Sequence, residues 1–496
     1  MSLVHALEVA TNITYTENGA VTPETTGSCC LDLFATIGAL RHASEEELCR
    51  RFLRAYAEDR DLAMKILFYA RDVRGGLGER RAFRIITRWL ADYADTSVVK
   101  NISNIPEYGR YDDLLSLFGT NCEEEVLRYI AAQWKKDMKA LREGGSVSLL
   151  GKWLPSVNAS NAQTRAQGKK VAQALHLRPA DYRKAVSALR KRIHILENDL
   201  RVKEYTFDYA QVPSRALYKY RAAFIRNDRE RYTGFMTKVT NGEVQMHTDN
   251  LTPYDIVNSI IDAPNWWTPG IKPMAAEQRL VLDATWKALP DYTCGENALA
   301  VVDISGSMYM NTEPVPAAVA FSLGIYYGEK NHGPFKDRFI TFSRKPQFLE
   351  IKGKDIVDKV AYCETFNEAA NTDLEAVFRL ILETAKTHQV PQEDMPARIY
   401  IISDMEFDSC VEHADLSNFR NMELLYQISG YTIPEVVFWN VNSRNRQQPV
   451  TMGQQGVALV SGCTPRLFEM IRSGNLSPYG CMLDILNRDR YKNIVA

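Results

Sequence analysis

Ala298–Met308 reads ALAVVDISGSM, an apolar run that ends on Asp303 and is followed by Ile304, Ser305, Gly306 and Ser307. The run is short, β-rich and bounded by a charge, the pattern of a buried strand reaching the edge of its sheet. Similar runs follow at Arg338–Phe342 (RFITF), Ile399–Ser403 (IYIIS) and Glu435–Asn440 (EVVFWN). Helical stretches lie between them, notably over 315–329 and 373–387. Apolar strands alternating with helices predict a parallel sheet covered on both faces. Ligands of such folds sit outside the C-terminal strand ends, so the residues after ALAVVD and IYIIS are where chemistry is expected.

Upstream the pattern changes. Up to about residue 290 the chain reads as helix after helix. Ser44 and Glu47 have capping-box spacing, and Leu48, Phe52 and Tyr56 then recur at helical intervals. Residues 61–70 and 82–93 repeat the pattern. From Asp181 to Leu200 the apolar residues Tyr182, Val186, Leu189, Ile193 and Leu196 form one stripe opposite a basic face. Short connectors with Gly, Pro and Asn fit antiparallel helices stacked in an array. The expected fold class is therefore α + α/β, with a helical domain over 1–290 and a doubly wound parallel-sheet domain over 296–496. The boundary lies in LPDYTCGEN, around 285–297.

At 496 residues the chain is long enough for about three domains of ~150 residues, or two large ones. Hydrophobic residues make up 45% and charged residues 24%, an ordinary globular balance that excludes a mostly disordered chain. The net charge of −1 hides an asymmetry, because residues 151–250 hold 19 Lys+Arg against 9 Asp+Glu. No apolar run approaches the ~20 residues that span a bilayer, and MSLVHALEVA lacks the pattern of a secretory leader. The 9 cysteines show no CxxC and no zinc-finger spacing. Reduced thiols in the cytoplasm are the expectation.

Asp303, Ser305 and Ser307 are hard oxygen donors, the type Mg²⁺ takes in octahedral geometry at about 2.0–2.1 Å. A strand-terminal D-x-S-x-S resembles the metal-ion-dependent adhesion site of von Willebrand factor A domains. That resemblance implies a threonine from a second loop and an aspartate after a later strand. Asn371-Thr372-Asp373 opens a helix and supplies Thr372, and Ser403-Asp404 ends IYIIS and supplies Asp404. The implied cofactor is a divalent metal ion, Mg²⁺ first, held by Asp303, Ser305, Ser307, Thr372 and Asp404. Glu406, Asp408 and Asp373 are read as capping or solvated carboxylates, with Asp408 also a candidate for supporting the ligands. A metal position left open there accepts a carboxylate from a protein partner, or holds water for hydrolysis. DISGSM, ANTD and SDMEFD contain no histidine or lysine to act as a base, so the site is read as binding rather than enzymatic.

The basic segment interleaves charge with aromatics. Lys169, Lys170, Arg183, Lys184, Arg190, Lys191, Arg215, Lys219 and Arg221 are the candidate RNA-binding residues, with Trp153, Tyr182, Tyr218 and Tyr220 among them. Phosphate backbones reward such a surface through counterion release, and aromatic rings stack unpaired bases. The competing reading is a solvated helix face, and Tyr182 fits the apolar stripe better than a base platform. Arg71–Arg81 (RDVRGGLGERR) lacks the GK[ST] ending of a P-loop and follows a helix. It is read as a helix–helix turn whose arginines pair with acids such as Asp72, Asp112 or Asp113.

GRYDDLL (Gly109–Leu115) in a helical region, joined to a C-terminal DISGSM, resembles the Ro/TROVE architecture. RGGLGER (Arg74–Arg80), KWLPS (Lys152–Ser156) and SDMEFD (Ser403–Asp408) are similar to an uncharacterised family related to it. The resemblance covers nearly the whole chain. It implies HEAT-like helices forming a ring closed by the A domain, and non-catalytic binding of structured or misfolded RNA. The rival expectation is a protein-interaction scaffold whose metal site grips a partner carboxylate without RNA. A metal-dependent nuclease is the third, and it lacks a base.

Overall fold

The structure is a computed structural model describing residues 11–262, 270–309, 314–342, 345–366, 372–408, 418–471 and 476–496. The leader reading of MSLVHALEVA, Asn371 of the ANTD segment and Cys410 lie outside the described residues. Among the described residues no helix is long and apolar enough to cross a membrane.

The chain divides into two compact units, and neither is one continuous stretch. The first comprises the chain up to Ala43 with Pro213–Arg488, and the second Ser44–Val212 with Asp489–Ala496. The division drawn from sequence at 290 and 296 follows the type of secondary structure, whereas the packing crosses it. The Pro253–Val257 and Ala276–Lys287 helices bury their apolar residues within the same unit as the sheet. Arg279 ties the second of them to Asp355 and Asp358 of that unit.

In the first unit β1 (Ile13–Tyr15) and β2 (Val21–Pro23) form an antiparallel hairpin. A second short pair joins β3 (Ile261–Asp262) to β4 (Gly270–Ile271). Both depart from the all-helical reading of the first 290 residues, because strands of two or three residues carry no periodicity. The main sheet comprises β5 (Ala298–Asp303), β6 (Arg338–Phe342), β7 (Phe348–Glu350), β8 (Arg398–Ser403), β9 (Glu435–Asn440) and β10 (Val457–Ser461). Its order is β10-β9-β8-β5-β6-β7, and every pairing is parallel except β6 with β7. All residues of β5 and β8 are buried, as strands covered on both faces must be.

The alternation of side chains divides the core. Leu299, Val301, Ile399, Ile401, Val436 and Phe438 face one layer, where Phe378, Leu382, Met422 and Tyr426 of the Leu374–His388 and Asn418–Ile428 helices cover them. Val302 faces the other layer and meets the Pro316–Lys330 helix at Gly324, where a Cβ would stand 2.3 Å from its Cγ2. Gly324 is therefore the residue that lets this helix lie close on β5.

In the second unit Ser44 caps the Glu45–Glu58 helix by accepting from Glu47 N at 3.1 Å. RGGLGE forms the expected turn between the Arg60–Arg71 and Arg80–Tyr93 helices, with Leu77 N donating to Tyr69 O at 3.1 Å. Its ion pairs match the expectation at Arg71, which takes Asp113, and depart from it at Arg74. Arg74 pairs with Glu107, while Arg71 and Arg84 share Asp113, at 2.7 and 2.6 Å, and Arg84 also reaches Asp112. Asp72 is taken by the C-terminal segment, where Arg490 Nη2 donates at 2.7 Å and Tyr491 Oη at 3.1 Å. The stripe expected over 181–200 is interrupted: the Pro179–Arg192 helix buries Tyr182, Val186 and Leu189, and His194 then adopts φ 52°. A left-handed residue ends the helix there.

Candidate metal centre

β5 has β6 on one side and β8 on the other, so the chain reverses its direction of travel through the sheet between β5 and β8. This is a topological switch point, where the strand ends leave a crevice. Val302 lies opposite Ile402, which sets Asp303 and Ser403 as neighbouring strand ends.

Asp303 is fully buried. Its Oδ1 accepts from Ser305 N at 2.9 Å and its Oδ2 from the Ser403 hydroxyl at 2.6 Å. Ser305 Oγ and Ser307 Oγ lie 3.1 Å apart, and the Ser307 hydroxyl favours the ionised form of Asp404. Asp404 also accepts from Arg444 Nη2 at 2.9 Å. Asp303, Ser305 and Ser307 are thus linked in sequence by hydrogen bonds, with Asp404 beside them. Thr372 joins them indirectly: its hydroxyl donates to Glu406 O at 2.6 Å and accepts from Asn18 Nδ2 at 2.9 Å. The backbone beyond Asp404 is held in an unusual turn, since Met405 has φ 68° and donates its N–H to Ser403 Oγ at 3.0 Å. A non-glycine residue in this region costs energy and tends to persist where function constrains the chain.

Electrostatics follow from the burial. Desolvation pushes the Asp303 carboxyl above the usual carboxylate range, Asp404 beside it pushes the same way, and the hydrogen bonds from Ser403 and Ser305 oppose them. Burial also raises Asp404, against the pull of Arg444 and Ser307. Two neighbouring buried carboxylates resist ionising together unless a cation joins them. Hard oxygen donors with excess negative charge fit a divalent cation such as Mg²⁺. Among the described residues no group of three His, Cys, Asp or Glu side chains is placed to hold a metal. The candidate donor set is instead two carboxylates with hydroxyls.

The outer acids part company. Asp373 caps the Leu374–His388 helix, as expected, by accepting from Ala376 N at 2.9 Å. Glu406 is buried rather than solvated, and its carboxylate accepts from Glu17 N, Asn445 and Gln447 at 2.8–2.9 Å. Asp408 is partly buried and its N–H donates to Thr372 O at 2.8 Å. Glu17, Asn18, Ser403, Arg444 and Asn445 were not anticipated. For the first two a signal existed, Asn18-Gly19 between the β-branched runs ITY and AVT, a hairpin pattern. For Arg444 and Asn445, in an aperiodic loop after β9, there was none.

The basic candidates divide between the units. In the helical unit Arg183, Lys184 and Lys191 stand exposed on the Pro179–Arg192 helix, away from its buried stripe, and Lys169 is exposed on the Ala162–Ala174 helix. Lys170 is paired to Glu123 at 2.7 Å. Arg190 is committed to the backbone, donating to Gly151 O at 3.0 Å and Leu154 O at 2.8 Å. In the sheet unit Arg215 pairs with Asp255 at 2.7 Å, Lys219 lies 4.9 Å from the Tyr220 ring and Arg221 4.0 Å from Tyr218. Tyr182 is a core residue whose hydroxyl donates to Pro155 O at 2.9 Å. The helical unit also holds a cavity of about 1090 Å³, lined by Arg84, Arg88, Trp89, Asp112 and Trp153 among others.

Comparisons with known proteins place these features in company. The family model described as domain of unknown function DUF2828 matches residues 16–126 and 158–293, and that of domain of unknown function DUF7788 matches residues 297–476. The uncharacterized protein L728 of Acanthamoeba polyphaga mimivirus is 27% identical over 513 aligned positions, covering 96% of this chain and 87% of its own. The crystal structure of the Deinococcus radiodurans Ro (RSR) protein aligns over 97% of this chain and 96% of its own, at 12% identity and a TM-score of 0.34. A score that low is no basis for arguing a shared fold.

Proposed function

We propose that this chain is a non-catalytic binding protein on the Ro/TROVE plan. In this reading HEAT-like helices bind RNA, and a von Willebrand factor A-type domain carries a metal-ion-dependent adhesion site. The observation that carries the reading is the gathering of Asp303, Ser305, Ser307 and Asp404 at the switch point of a parallel sheet. Asp303 and Asp404, with the hydroxyls of Ser305, Ser307 and Thr372, would hold Mg²⁺. Bound there, the ion offers a Lewis-acidic position to an oxygen ligand such as a partner's carboxylate.

The protein's own groups prepare that position. Ser403 and Ser305 N orient the Asp303 oxygens, and Glu406, saturated with donors, fixes the segment after Asp404. Among the described residues the groups bonded to the cluster are hydroxyls, backbone amides and the Arg444 guanidinium, which hold no basic lone pair at neutral pH. This supports capture over hydrolysis. None of the 8 described cysteines forms a disulfide, which suits a reducing, cytoplasmic compartment.

RNA binding rests on the exposed Lys169, Arg183, Lys184 and Lys191 and on the motif resemblance. Sequencing the nucleic acid retained on the purified protein tests it; a preparation free of RNA that also fails to bind added RNA contradicts it. A scaffold reading without RNA draws on a specific observation, the commitment of Lys170, Arg190 and Arg215 to partners within the protein. Asp303→Ala separates the two: it abolishes Mg²⁺-dependent capture of an acidic protein and leaves RNA retention intact.

A further inference from the structure

Arg444 stands between two carboxylates from opposite ends of the sequence. Its Nη2 lies 2.9 Å from Asp404 Oδ2 and its Nη1 2.8 Å from Glu17 Oε2. The Asp404 side chain is wholly buried and that of Arg444 is 22% exposed. Among the described residues the buried Nε of Arg444 has no hydrogen-bond partner, so the guanidinium is placed for charge rather than for full hydrogen bonding. Asn445 reinforces the link by donating to both Glu17 Oε1 and Glu406 Oε1 at 2.9 Å. The next hairpin residue, Asn18, donates to Thr372 Oγ1 and to Glu406 O, at 2.9 and 2.7 Å.

We propose that Arg444 is a tethered counter-cation of the Asp303/Asp404 pair, that a divalent cation enters by displacing it, and that its departure loosens the β1–β2 hairpin through Glu17. The inference rests on the metal reading above and adds a competitor and a readout to it. A guanidinium neutralises one carboxylate, whereas the pair carries two, and a divalent ion beside Asp404 repels Arg444 at short range. When Arg444 leaves Asp404, its bond to Glu17 remains as a half-exposed surface pair. Such pairs hold geometry weakly. Metal binding is thereby coupled to the turn Thr16–Gly19, whose Glu17 N–H and Asn18 side chain also grip Glu406.

The test titrates the full-length chain with Mg²⁺ and with Mn²⁺ by calorimetry, and follows amide hydrogen exchange over residues 13–23. Arg444→Gln binds either metal about tenfold more tightly than wild type, the equivalent of about 1.4 kcal/mol. Arg444→Lys, which keeps the charge, stays near wild type. In the wild type, metal speeds exchange of the hairpin amides; in Arg444→Gln that exchange is already fast and metal leaves it unchanged. Circular dichroism on each variant separates these effects from misfolding. Equal or weaker metal affinity in a folded Arg444→Gln, or hairpin protection that metal leaves unchanged or increases, overturns the exchange and leaves the metal reading standing. Absence of metal binding in wild type and in Arg444→Gln alike overturns both.

Discussion

The Ser403 hydroxyl donates to Asp303 Oδ2 at 2.6 Å, joining the last residues of two adjacent parallel strands. Ser403 Oγ also accepts Met405 N–H at 3.0 Å, so one serine fixes both the first carboxylate and the turn that delivers the second. Ser403→Ala therefore leaves the fold in place and weakens Mg²⁺ binding. The loss of one hydrogen bond to a charged group, about 1.5–3 kcal/mol, corresponds to about a tenfold or greater rise in Kd by calorimetry.

Asp303 is held buried beside Asp404 at a cost to the metal-free chain. Asp303→Asn removes that cost, and the variant without metal is expected to be more stable at pH 7 by about 1–3 kcal/mol. It also loses the stabilisation that Mg²⁺ gives the wild type. Denaturant titrations in EDTA and in Mg²⁺ check both halves, and a destabilised metal-free variant contradicts the electrostatic argument.

The C-terminal segment is clasped by the RGGLGE turn. Asp72 is buried and receives Arg490 and Tyr491 together. Arg490→Ala leaves Asp72 without its guanidinium; discounted for the partial exposure of Arg490, the loss is about 1–3 kcal/mol. Carboxypeptidase should then trim residues 489–496 faster than in wild type.

Gly76 has no room for a side chain. A Cβ there would stand 2.1 Å from Tyr69 O, so Gly76→Ala forces the turn to move and destabilises by about 1–3 kcal/mol in chemical denaturation.

Among the basic residues, Arg183, Lys184 and Lys191 are exposed on one helix while Arg190 is bonded to the backbone. The triple alanine variant of the first three should weaken single-stranded RNA binding and lower the slope of log K against log salt by about 2, at roughly 0.7 per phosphate contact. Arg190→Ala should instead lower the melting temperature. Fluorescence anisotropy across a salt series distinguishes the two.

The parallel sheet was legible because ALAVVD, RFITF, IYIIS and EVVFWN are short runs made mainly of apolar residues without strict alternation, the mark of strands buried on both faces. VALVS (Val457–Ser461) carries the same mark and forms β10. Asp303 and Asp404 could be found from strand ends alone. Glu17 and Arg444 could not, since they reach the site from a three-residue hairpin and an aperiodic loop. The division into units was likewise hidden. It depends on contacts between distant segments, such as Asp72 with Arg490, that local patterning does not encode.

The most direct test of the central claim is a crystal structure of the full chain grown with Mn²⁺, with anomalous differences collected at the manganese edge. The account predicts a single strong peak touching Asp303 together with Ser305 and Ser307, with Asp404 beside it. A map without a peak between β5 and β8, with manganese bound elsewhere or not at all, contradicts it.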